Sequence, residues 1–255
     1  MMKAQSAVAV WLLVVGCALA QAQTGIWMGV GPAPRSGAIK DASFSADLLS
    51  MNDQINGQPG IKTAFHGKVA RNALGETYFQ MENISPFVDH TRPTRITITN
   101  PSALTVTTLD PQSKTAFVSH VNAKALGTAP FLTPGATPTA DGKPAGATGV
   151  TPPGTTVKTE SLGTKEVDGL HLVGLRTTHT SFSPNTDSKP FVSTVDTWTS
   201  PELKVVVITE TTTSNGDHHL TKLQNIQRTE PSAELFQVPS GYSVRDNAPM
   251  ATNMY

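Results

Sequence analysis

From residue 157 to residue 228 the chain repeats one pattern: apolar and hydroxyl-bearing residues alternate through a strand-length run, a short polar turn follows, and the alternation resumes. A period of two is what a β-strand with one buried and one wet face imposes. Strands are expected at 157–167, 170–182, 191–199, 203–213 and 218–228. Turns are expected at Asp168-Gly169, around Ser183-Pro184-Asn185, and at Ser214-Asn215-Gly216-Asp217, where Asn-Gly is the strongest short hairpin signal. No helical period interrupts the series, so a continuous antiparallel sheet that curls is predicted.

The first half reads as a shorter meander. Strands are predicted at 61–70, 76–84, 96–99, 104–109 and 114–121, separated by Gly57-Gln58-Pro59-Gly60, 72–75, Asn100-Pro101 and Asp110-Pro111. The stretch 44–55 carries both periods: Phe44, Leu48, Leu49 and Met51 suit a helix, whereas Phe44, Ala46 and Leu48 alternate. Between 128 and 156 the composition shifts to Pro, Gly, Thr and Ala, with Phe131, Leu132 and Val150 as the large apolar side chains. Such a stretch buries too little surface to offset its ordering entropy, so a linker or surface loop is expected.

Residues 1–22 have the layout of a secretory signal: Lys3, an apolar run over 7–19, then small-x-small cleavage sites ending at Ala20 and Ala22. The run is shorter than the roughly 20 apolar residues of a membrane span. Cys17 follows Val14-Val15-Gly16, which loosely fits a lipoprotein signal whose cysteine becomes an acylated N-terminus, but the apolar run continues through Ala18-Leu19-Ala20, favouring ordinary cleavage. Either route leaves no disulfide in the mature chain. The expected organisation is therefore a signal peptide (1–22), a flexible segment (23–42), the first strands (43–127), a Pro/Gly/Thr-rich linker (128–156), the second strands (157–243) and a mobile tail (244–255). The destination is the periplasm or the exterior.

Charge narrows the partners. The chain has 19 basic and 19 acidic side chains without a long run of either sign, so no basic face is available to release counterions from a nucleic acid. His218-His219 beside Asp217 suggests a metal pair, but neighbours on a strand point to opposite faces and no third ligand follows at a recognisable spacing. His171 and His179 would share a face but stand about 27 Å apart. No Gly-x-Ser-x-Gly elbow, Gly-rich phosphate loop, dinucleotide fingerprint or mature thiol is present, and Asp110, Asp141, Asp168 and Asp217 fall in turns. Neither catalytic residue, cofactor nor metal is assigned.

The apolar faces say more. Along 203–208, Leu203, Val205 and Val207 are expected on one side and Val206 and Ile208 on the other, so each face needs cover. Leu170 and Leu172 oppose Val173 and Leu175 in the same way. Two readings fit: a central strand packed on both sides, or an apolar concavity that holds a lipid-like molecule.

Three patterns then occur in order: Ser161-Leu162-Gly163-Thr164-Lys165 before Val167-Asp168-Gly169-Leu170; Trp198-Thr199-Ser200-Pro201-Glu202-Leu203; and Glu230-Pro231 before Leu235-Phe236-Gln237-Val238-Pro239-Ser240-Gly241-Tyr242. With Thr97-Ile98-Thr99-Asn100-Pro101 and Leu109-Asp110-Pro111-Gln112-Ser113-Lys114, they resemble exported bacterial proteins similar to the periplasmic lipoprotein-carrier superfamily. The resemblance covers most of 43–243 apart from the linker. It implies a mainly β fold, an incompletely closed antiparallel barrel (half-barrel) with few short helices, a strand at 44–55, and a concave side able to hold acyl chains. The one helical turn expected is at 231–236. Candidate lining residues are Leu172, Val195, Val205, Val207 and Leu223, with Trp198 at the rim. The expected function is non-enzymatic binding of a lipid or other hydrophobic ligand. The alternatives are an envelope protein–protein scaffold with a filled interior and, third, a hydrolase.

Overall fold

A computed structural model describes residues 39–83, 95–122, 155–182 and 189–247. The signal segment, Cys17, most of the linker and residues 248–255 lie outside the described residues. Twelve strands are present among those described: β1 (Phe44–Ile55), β2 (Gln58–Arg71), β3 (Thr77–Asn83), β4 (Arg95–Asn100), β5 (Thr105–Asp110), β6 (Thr115–His120), β7 (Thr155–Val167), β8 (Leu170–Ser181), β9 (Phe191–Ser200), β10 (Val205–Thr213), β11 (His218–Gln227) and β12 (Ser243–Asn247). They form one sheet in the order β12, β6, β5, β4, β3, β2, β1, β11, β10, β9, β8, β7.

Two meanders lie side by side, β1 to β6 and β7 to β11, and the first strand of one pairs with the last strand of the other. The sheet does not close: β12 and β7 are its edges. This is the open, mainly antiparallel half-barrel expected.

Local chemistry explains the hairpins. Asn56 and Gly57 both have positive φ (53° and 70°), as do Asp168 and Gly169 (50° and 69°), the backbone that a two-residue turn between twisted strands requires. The first turn therefore sits at Asn56-Gly57 rather than over 57–60. Gln58 and Pro59 already pair with Ile55 and Gln54, because Asn-Gly satisfies the turn at once. The β10–β11 turn docks on it: Gly57 N–H donates to the Gly216 carbonyl at 2.8 Å, and Asn56 N–H donates to the Asp217 carboxylate at 2.7 Å.

β1 settles its ambiguity as a strand, with Phe44, Ala46, Leu48 and Ser50 buried at every second position. Leu48 stands opposite Leu223 where the meanders meet. Around that seam Phe44, Val69, Leu170, Leu172, Leu203 and Val205 to Val207 form the main core, each large side chain contributing about 1.5–3 kcal/mol by its burial. Val69 belongs to this cluster while its neighbour Ala70 joins a second one with Tyr78, Ile98, Leu109, Ala116 and Phe236. Adjacent strand residues point to opposite faces, so the sheet is covered on both sides here. The cover over Ala70 is the segment containing the 3-10 turn Ala233–Phe236.

Three expectations are corrected. Val244 to Asn247, assigned to a mobile tail, form most of β12, which pairs parallel with β6 from Ser243↔Thr115 to Asn247↔Ser119. A five-residue strand held mainly by pairing with a distant edge leaves no local period to detect. Ala42, assigned to the flexible segment, is buried and accepts a hydrogen bond from Arg71 Nε at 2.9 Å. The second meander begins at Thr155 rather than 157.

Candidate functional site

Directly opposed residues share a face, so the pairing register sorts the side chains. One row runs Ser50, Thr221, Thr209, Thr197, Leu175 across β1, β11, β10, β9 and β8. The next row on that side runs Asn52, His219, Thr211, Val195, Thr177, Thr159. All five residues of the first row, with His219 and Thr199, are buried. The opposite face carries Glu210, Asp196, Arg176 and Glu160 in one row. There Arg176 grips Asp196 through Nε and Nη2 at 2.7 and 2.6 Å, and His218 is held between Glu210, at 2.7 Å, and Asp53. In these rows the inner face is thus apolar and hydroxylated, and the outer face charged.

On the inner face Ser50 Oγ lies 3.2 Å from His219 Nε2 and 2.9 Å from Thr221 Oγ1, and His219 Nδ1 lies 2.6 Å from Asn52 Oδ1. The amide oxygen can only accept, so Nδ1 carries the proton and Nε2 accepts from a hydroxyl. Burial, then neighbouring His218, pushes the His219 pKa down to about 4, keeping the ring neutral. Hydroxyl, imidazole and orienting amide follow the order of a nucleophilic triad. However, Ser50 is 0% exposed and sits in mid-strand, paired with Thr221 and Phe65 on its two sides. The local amides belong to the sheet ladder, so none is aimed at a developing oxyanion. The arrangement is a buried hydrogen-bond network.

Two inner hydroxyls stand apart. Thr199 Oγ1 and Thr209 Oγ1 are buried without a hydrogen-bond partner among the described residues, whereas Thr197 Oγ1 between them donates to the Leu175 carbonyl at 3.4 Å. An unpaired buried hydroxyl costs about 1–3 kcal/mol. A separate polar cavity of about 310 Å³ lies where the chain enters β1, lined by Asp41, Ala42, Ser43, Glu202, Leu203 and Arg228. Behind two of its wall residues Arg71 is fully buried and donates to the carbonyls of Ala42 and Leu203.

No protein-family model matches the chain, and no curated protein does. Solved structures similar to it include a domain described as an outer membrane lipoprotein-sorting protein from Vibrio parahaemolyticus, with 8% identity, 78% of this chain and 91% of that one covered, and a TM-score of 0.30. LprF from Mycobacterium bovis has 12% identity, covers 74% and 89% of the two chains, and has a TM-score of 0.31. Lipoprotein LppX from Mycobacterium tuberculosis has 10% identity, 73% and 88% coverage, and a TM-score of 0.30. No residue of theirs is matched to a residue here.

The six expected lining residues divide between the faces. Val195 lies in the Asn52 row, and Leu223 and Val207 alternate with Thr221 and Thr209 on the inner face. Trp198 opposes Ile208 and Gly174 on the outer face, and Leu172 lies two residues beyond Gly174 on that side. Val205 pairs with Ser200, two residues from Trp198, which puts it on the outer side as well. The expected alternation of Leu203, Val205 and Val207 against Val206 and Ile208 is interrupted, because the register slips between Val206 and Ile208. A bulge there lets Val205, Val206 and Val207 all be buried. Leu172, Val205, Val207 and Leu223 are each 3% exposed or less, so they are packed core rather than free lining.

Sequence reasoning missed the threonines, because alternating hydroxyls were assigned to the wet face. A signal was present in the intervening positions. Asp196, Glu210 and Lys222 alternate with Thr197, Thr209 and Thr221, and ionised groups are far costlier to bury than hydroxyls. The charged positions therefore take the water and force the threonines inward.

Proposed function

We propose that the chain is an exported, non-enzymatic protein that binds a lipid or other hydrophobic ligand along the inner face. The observation that supports this reading is a lane of apolar and hydroxyl-bearing side chains from solvent to core. Phe191, 41% exposed, and exposed Val157 stand at the outer strand ends on the same side as partly buried Val195. The lane ends on buried Leu223, Val207 and Leu48. A large exposed aromatic at the mouth of an apolar surface offers an acyl chain a first contact. Export rests on the signal layout of residues 1–22.

A second reading, an envelope scaffold that contacts another protein, is favoured by the near-complete burial of Leu172, Val205, Val207 and Leu223, which fill their own space. Native mass spectrometry of the mature protein, purified from the periplasm of an expressing bacterium without detergent, separates the two. A reproducible mass excess that is released as a lipid on denaturing extraction is the expected result. Bare protein that takes up neither added fatty acid nor phospholipid nor an acylglycerol would overturn ligand binding and support the scaffold.

A further inference from the structure

We infer that the ligand's polar group is uncharged, an ester carbonyl or a hydroxyl, and that it is hydrogen-bonded by Thr199 and Thr209. This rests on the hydrophobic-ligand reading above and adds to it a polar subsite and a chemical preference. The two side chains share the inner face: Thr209 opposes Thr197, and Thr199 follows Thr197 by two residues on the same strand. Diagonal neighbours of this kind stand roughly 7–8 Å apart, a gap that one ester or glycerol group can span. Thr199 is 5% and Thr209 6% exposed, and neither hydroxyl has a partner among the described residues. Buried polar groups are nearly always paired, so two orphans in one patch ask for a third party.

The surroundings define the class. Across the two central rows, from Ser50 to Leu175 and from Asn52 to Thr159, the titratable side chain is His219, which burial and neighbouring His218 keep neutral. Two further groups share the face: His171, two residues along β8 from the Val173 that opposes Thr199 and held by Glu166 at 2.9 Å, and Arg71, opposite Phe44. Arg71 reaches the turn that follows β9, where Nη2 donates to the Leu203 carbonyl, and is a hydrogen-bond partner of neither threonine hydroxyl. Its Nε and Nη2 are used by the Ala42 and Leu203 carbonyls, while Nη1 is buried without a partner among the described residues. A carboxylate or phosphate seated at the threonines would be buried where no cation is hydrogen-bonded to either hydroxyl, which is costly. A carbonyl or hydroxyl needs only the donors and acceptors that two threonines supply.

The mature chain is titrated with monoolein and with oleate below their aggregation concentrations, following displacement of a fluorescent apolar probe. The wild-type protein is expected to bind monoolein about tenfold or more tightly than oleate, the size of one good hydrogen bond. In the double variant Thr199→Val, Thr209→Val the preference should disappear, while its unliganded melting temperature equals or exceeds that of the wild type because two unpaired hydroxyls are gone. Thr212→Val, on the outer face opposite His218, should leave the preference unchanged. Equal affinity for the two ligands in the wild type, or a preference retained by the double variant, would overturn the threonine subsite while the hydrophobic-ligand reading stands. Displacement by neither ligand would overturn both.

Discussion

Trp198 lies against Gly174. The two are directly opposed on neighbouring strands, and a Cβ at position 174 would come within 2.6 Å of a ring carbon and 2.8 Å of Leu162 Cβ. Lys165 closes the ring's environment, with its ammonium nitrogen 3.8 Å from the ring centroid. Gly174→Ala should therefore push the indole off its seat and lower stability by about 1–3 kcal/mol, the usual cost of overpacking. Urea unfolding measures it; an unchanged midpoint would show that the ring has room to shift.

Adjacent histidines should titrate apart. Burial lowers the His219 pKa from 6.5 to about 4. At His218 burial acts in the same direction, but hydrogen bonds to Glu210 and Asp53 outweigh it and raise the pKa. Between pH 6.5 and about 4 the unfolded chain takes a proton at His219 that the folded chain refuses. The His219 contribution is thus complete above pH 6.5 and lost as pH falls to about 4, amounting to about 3 kcal/mol. His218 has the opposite sign: its contribution is present below pH 6.5 and lost as pH rises through its raised folded pKa. Imidazole NMR titration should show the two moving in opposite directions, and His219→Gln should flatten the acid-side loss. A slope as steep in the variant as in the wild type would place that loss elsewhere.

Arg71 is a buried clip. It lies 5.1 Å from the Phe44 ring centroid and ties two segments through the Ala42 and Leu203 carbonyls, and burial lowers its pKa to about 10. Arg71→Met matches the length but leaves both carbonyls without a donor, so a loss of about 2–4 kcal/mol is expected. Arg71→Lys should fall between, because one ammonium does not reproduce the guanidinium fork. A Met variant as stable as the wild type would mean that desolvating the charge costs as much as its bonds return.

β12 guards an edge. Ending the chain after Tyr242 removes the strand paired with β6 but leaves Phe236 and Tyr242 in the second core cluster. The shortened protein should fold yet associate as its concentration rises, because the β6 ladder groups become unpaired. Light scattering across a dilution series reads this directly; a monomer at every concentration would show that β6 needs no cover.

The residues themselves determined the strands and most of the turns. Alternation in β8 to β11 and the Asp168-Gly169 and Asn215-Gly216 pairs act over neighbouring positions, and local sterics decide them. Tertiary structure alone decided which surfaces meet. The pairing of β1 with β11 joins residues as far apart as Leu48 and Leu223, 175 positions, and β12 finds β6 across 128 positions. The slip between Val206 and Ile208 put Val205 and Val207, expected on one face, on opposite faces, since a single extra residue reverses every side chain beyond it. The inner threonines depended on a comparison between faces: with carboxylates and ammonium groups on one side, the hydroxyls had to turn inward, and only the packed sheet shows that Thr199 and Thr209 arrive there without partners.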